Sequence, residues 1–258
     1  MNAKSGEIKI SKTYKDLEEY TKKRTTELSG MLADFITVTD HYGDLICRVA
    51  SILGKIPPKD EQDSMIRDLM ADVFDFLYEV RPVIIKGKFE VAFPLGRRAY
   101  ESLSLMVASY LDKKLAEKWI AGKEIGNAEI RNILDKNPMG ELKDNTKELY
   151  QFFCQATHPN RTLVPERFLG AGNEFVLGAV GAPDLIMTVD FCLRILELWF
   201  LFVAFFTYIN RQDIMAYDKE ILGSYSKVAS EAKDVAKWLV DNFNRLLEEY
   251  HTEIAGKK

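Results

Sequence analysis

The sequence predicts an all-α protein, a single multi-helix up-and-down bundle, and three observations carry that expectation. Apolar residues recur at steps of three and four along most of the chain, the spacing that paints one face of a helix. Only 15 glycines and 8 prolines interrupt 258 residues, and several of them fall between the periodic stretches, where helices must turn. No repeat of fixed period and no strong interior domain boundary divides the chain, so residues 11–258 read as one helical domain behind a polar tail at 1–10.

In order, Leu17, Tyr20, Leu28, Leu32, Phe35, Val38, Tyr42, Leu45 and Val49 predict one long helix within 11–56. It is compatible with a peripheral position, and Gly30 or Gly43 marks a break or a close contact. Gly54, Pro57 and Pro58 stop it. Acidic residues from Asp60 to Asp63 then suit the positive end of a second helix, which Arg81-Pro82 should kink or end. A third helix is expected from about Glu90 to Leu111, with shorter ones from Lys113 to Ala121 and from Asn127 to Leu134. Asn137-Pro138 has the form of a cap followed by a first-turn proline, and Pro159 places His158 at the end of the helix so opened. Between 165 and 181 the glycines cluster around short apolar runs, a pattern compatible with a small β-hairpin or an ordered loop. Asp184 can cap a very apolar helix that ends near Ile209, and a last helix follows from about Ile221 to His251.

Composition narrows the function classes. A net charge of −4 argues against a protein that coats nucleic acid through overall charge, and there is no DNA-binding signature. Cys47, Cys154 and Cys192 are odd in number and widely spaced, which fits reduced thiols rather than a disulfide framework. The first residues lack the apolar core of a signal peptide. The apolar run from Leu198 to Ile209 is too short for the roughly 20 residues that cross a bilayer, and extending it meets Glu197, Arg194 and Asp190. A cytoplasmic protein with that helix buried in its core, and no membrane partner, is the expectation. No cofactor is expected. Asp40, His41 and Asp44 form only a loose group on a solvated face, and Gly170-Ala171-Gly172 lacks the further residues of a nucleotide cradle.

Two stretches gather the remaining chemistry, and they are expected to pack together. Arg97 and Glu101 are neighbours on one helix face, with Arg98 beside them next to an apolar stripe. An inward guanidinium there suits a phosphate or other anion, provided that a carboxylate such as Glu101 compensates it. The second stretch sets Tyr150, Cys154 and His158 four apart, drifting only about 40° per step around a helix. A histidinium at a helix C-terminus is favoured by the helix dipole and can serve as a general acid or an anion contact, so His158 is the candidate catalytic residue. Asn160 and Arg161 add an amide and a cation. Each group also has a purely structural reading: Arg97–Glu101 as an intrahelical ion pair, His158 as a cap, Cys154 as an inert buried thiol.

Arg97-x3-Glu101, Tyr110-Leu111, Trp119-x2-Gly122 and Tyr150-x3-Cys154-x3-His158-Pro159 resemble a family of prokaryotic helical proteins related to the HEPN-like superfamily, over roughly residues 65–210. The resemblance implies an up-and-down bundle, often a homodimer, in a defence or toxin–antitoxin setting. Catalytic members of that superfamily are ribonucleases with Arg-x4–6-His on one helix. Here Gln151, Phe152, Phe153 and Cys154 precede His158 and no arginine stands among them, so that motif is absent. The expected function is therefore binding of an anionic or RNA ligand at Arg97, Arg98, Glu101, Tyr150, His158, Asn160 and Arg161. The alternative is a non-catalytic scaffold whose polar cluster is structural.

Overall fold

The computed structural model describes residues 13–137, 148–154 and 185–255, and every regular element among them is a helix. The capping turn at Asn137-Pro138, the glycine-rich stretch at 165–181, Asp184 and the polar tail at 1–10 lie wholly or partly outside these residues. Asn137 itself closes the helix before it, its side-chain amide donating to the carbonyl of Ile133 at 3.0 Å.

α1 (Tyr14–Met31) and α2 (Ala33–Leu53) replace the single long helix expected from the sequence. The break falls at Leu32, whose backbone turns to φ −100°, ψ 20°, while both candidate glycines stay helical. α1 is the peripheral half, burying only Arg24 and Leu28. α2 is not peripheral: Phe35, Val38, Tyr42, Leu45, Ile46 and Val49 are all inside. The turn into α3 (Glu61–Ile85) is fastened by Arg67, which donates to the carbonyls of Leu53 and Ile56 at 2.8 and 2.6 Å and to the Asp63 carboxylate at 2.9 Å. Asp60 caps α3 by accepting from the backbone N–H of Asp63, and that bond holds its carboxyl below the usual range.

Pro82 neither ends α3 nor opens a new element; the helix runs on to Ile85. Burial explains this, because Ile84 is inside while Val83 and Ile85 pack against the core, holding the last turn despite the missing N–H. The chain then reverses at Gly87, whose φ of 66° favours glycine. A side chain there would also overlap Arg24, a buried residue whose guanidinium donates to the Gly87 carbonyl at 3.5 Å.

α4 (Phe89–Leu111) runs back along α3, the most extensive helix pairing in the molecule. Two short helices follow, α5 (Lys114–Ile120) and α6 (Asn127–Lys136). Residues 148–154 form a helical segment, α7. α8 (Leu185–Ile209) buries residues around most of its circumference, from Phe191 and Ile195 to Phe202 and Phe206. It is a core helix, and no helix among the described residues is long and apolar enough to cross a membrane. α9 (Arg211–Tyr217) turns the chain into α10 (Glu220–Ala255). Arg48 donates to Ser224 Oγ at 3.2 Å and His41 meets Glu231 at 2.8 Å, so rising numbers on α10 pair with falling numbers on α2. The two helices are antiparallel, and Asp40–Arg81 with Arg67–Leu53 sets the same relation between α2 and α3.

Candidate functional site

Gly96 brings the two chemistry-bearing stretches together. A Cβ at this position would lie 2.6 Å from Phe153 and 3.2 Å from Ile195, so α4, α7 and α8 approach more closely than any larger residue allows. Around this point Phe93 packs edge-on against Phe191 at 4.6 Å, and Phe152 and Phe153 join the same aromatic group. One turn further along α4, Tyr100 lies 5.8 Å from the ring of Tyr150. The packing expected between residues 94–101 and the start of the 149–161 stretch is therefore present over the described residues.

On this base Arg97 donates from Nε to Glu101 Oε1 at 2.8 Å. That hydrogen bond, more than any other neighbour, raises the guanidinium's pKa and so favours its charge. Arg98 stands on the other flank of the same carboxylate, 3.7 Å from Oε2, and lies over the ring of Phe76 at 5.6 Å. The three side chains differ in exposure: 28% for Arg97, 18% for Glu101 and 58% for Arg98. The pair is thus anchored and the second arginine is offered to solvent.

Arg131, which the sequence did not single out, completes the group from α6. Its guanidinium carbon sits 3.9 Å above the ring of Tyr150, within the range of a cation–π contact. Arg131 is exposed, and Asp135 lies one turn along the same helix. The hydroxyl of Tyr150 is pushed up in pKa by its hydrogen bond with Cys154 and then by burial, against the pull of Arg131 and Arg97. Tyr100 is raised chiefly by burial. Both phenols are therefore neutral hydrogen-bonding groups at neutral pH. Among the described residues, the guanidiniums of Arg131 and Arg97 both act on Tyr150.

A second charged group flanks α7 on its other side. On α8, Arg194 lies 3.5 Å from Asp190 and 3.5 Å from Glu197, and its guanidinium sits 5.7 Å from the ring of Phe152. Burial pushes both carboxyls above their usual range, with Arg194 opposing. In the sequence these residues stand out only as an obstacle to crossing a membrane.

Of the expected site residues, Arg97, Arg98, Glu101 and Tyr150 are gathered here, whereas His158, Asn160 and Arg161 lie outside the described residues. Among the described residues no group of histidine, cysteine and carboxylate side chains could hold a metal ion. No family model, curated protein or solved structure matches the chain.

Proposed function

We propose that this is a HEPN-like helical protein that binds an anionic ligand, RNA by preference, at the arginine group between α4, α6 and α7. The observation that carries this reading is the set of cations: among the described residues Arg97 and Arg98 share the carboxylate of Glu101, Arg131 stacks on Tyr150, and Arg98 and Arg131 are open to solvent. A site built only for stability would be expected to balance its charges, because like charges held together destabilise the fold. Arginine forks match phosphate oxygens, and Glu101 holds the innermost one in place. Acid catalysis by His158 belongs to this reading as a further step, as does a homodimer in a cytoplasmic defence or toxin–antitoxin setting.

A second reading is favoured by one observation, the 2.8 Å bond that already occupies Arg97 Nε. It makes the group a structural feature of a scaffold. Binding of single-stranded RNA and of polyphosphate, followed by fluorescence anisotropy across a salt series, separates the two. Under the ligand reading wild type binds both, and Arg98→Glu with Arg131→Glu weakens both and lowers the salt slope by about one for each phosphate no longer neutralised. Equal behaviour of wild type and the double variant would leave only the scaffold. RNA cleavage compared between wild type and His158→Ala tests the catalytic step on its own.

A further inference from the structure

We propose that the Arg131–Tyr150 stack is a platform for an unpaired nucleobase, so that the ligand is a single-stranded nucleic acid rather than a polyanion in general. This rests on the anion-binding reading above and sharpens it to a chemical class. Arg131 differs from the other two arginines in what holds it. Arg97 is fixed by a carboxylate, and Arg98 shares that carboxylate. Arg131 is held instead by the ring of Tyr150, 3.9 Å away, and that ring is backed by the buried ring of Tyr100. Ion pairing spends the in-plane N–H groups of a guanidinium. Stacking does not use them, and Arg131 is exposed.

A guanidinium in that setting offers two kinds of interaction. Its outer face takes the π-face of a base, and its edge donates to a phosphate oxygen. Recognition of unpaired bases on arginine planes and aromatic rings is the common mode for single strands, whose bases are free to splay outward. Lysine shares the charge but has no plane, so a Lys at 131 keeps the attraction to phosphate and gives up the stacking on a base.

The test measures four probes of equal length or charge on the full chain: a single-stranded RNA oligonucleotide, the same sequence in DNA, an abasic oligonucleotide, and polyphosphate. Wild type should bind the base-bearing strands about tenfold more tightly than the abasic one, the size of one stacked base. Arg131→Lys should lose that preference while still binding polyphosphate through its charge, and Arg131→Ala should weaken all four. The RNA and DNA arms show which sugar the platform prefers. Retention of the base preference by Arg131→Lys, or equal wild-type affinity for abasic and base-bearing strands, overturns the platform and leaves the anion site standing. Failure of wild type to bind any of the four overturns the anion site together with the platform. Arg131 is exposed, and circular dichroism of each variant confirms that the helices are unchanged.

Discussion

The two charged groups beside α7 are mirror images in sign. At Arg97–Glu101–Arg98 one carboxylate lies between two guanidiniums; at Asp190–Arg194–Glu197 one guanidinium lies between two carboxylates. Both follow from helical spacing of three and four, which puts the three members on one strip of surface. Each also rests against an aromatic ring, Phe76 at the first and Phe152 at the second. Their environments differ. The cationic group opens outward through Arg98 at 58% exposure, whereas Asp190 and Glu197 are each 26% exposed. Burial consequently acts against charge in the second group, pushing its carboxyls up, while in the first the charge of Arg97 is favoured by its partner. One arrangement can accept an outside ion of opposite sign; the other is closed upon itself.

The largest expected effect comes from separating both groups from α7 at once. In Gly96→Val, the new side chain must enter space held by Phe153, which is fully buried, and by Ile195. Overpacking of this kind costs about 3 kcal/mol or slightly more, well above the roughly 0.5 kcal/mol that replacing a mid-helix glycine returns. Thermal unfolding should show a drop of many degrees, and the proposed anion binding should weaken with it. An unchanged melting temperature would mean that α4 and α7 do not meet as closely as described.

Next in size is removal of the middle residue of the acidic group. Arg194→Met leaves two half-buried carboxylates without their cation, a loss expected to cost about 1–2 kcal/mol at neutral pH, less than for a fully buried pair. The sign with pH follows from the direction of the shifts. Asp190 and Glu197 already sit above their ordinary values and would rise further, so the folded state holds protons that the unfolded state has released. The penalty is therefore greatest above the raised values and fades as pH falls through them. Melting curves of wild type and variant should converge in mild acid; a difference independent of pH would point to weakened packing on Phe152 instead.

Much of this architecture was legible in the sequence because long helices carry their period openly. The stripe from Leu45 to Val49, the apolar circumference of α8 and the stop at Gly54 each have a local cause. What escaped were features whose cause lies elsewhere in the chain. Pro82 looks like a terminator until the burial of Ile84 is known. In α9 only Ile214 is buried, too little to make a period. Arg131 follows Ile130 on a short amphipathic helix and reads as an ordinary surface residue, because Tyr150, the ring that holds it, comes later in the sequence and reaches it only by packing. The on-helix spacing of Arg97 and Glu101 was readable; its partner cation on α6 was not.

The smallest effects test the mirror comparison most directly, because they make the same change in both groups. Glu101→Gln removes the charge that holds Arg97, whose environment favours its ionised form chiefly through that partner. The variant should be destabilised by about 0.3–0.5 kcal/mol, the usual scale for a one-turn pair. Glu197→Gln should act in the opposite direction. The carboxyl is raised even with Arg194 beside it, so burial outweighs the attraction, and a neutral amide of the same shape relieves the cost. Arg194 keeps Asp190 and the ring of Phe152 as neighbours after the change. A gain of a few tenths of a kcal/mol at neutral pH is expected from this balance. The gain should shrink as pH falls toward the raised value, since Glu197 is then protonated in the wild type too. Paired melting curves of the two variants across mildly acidic and neutral pH measure this. If both lose stability alike at neutral pH, the two groups are equivalent surface pairs, and the distinction between a group open to a ligand and one closed upon itself fails.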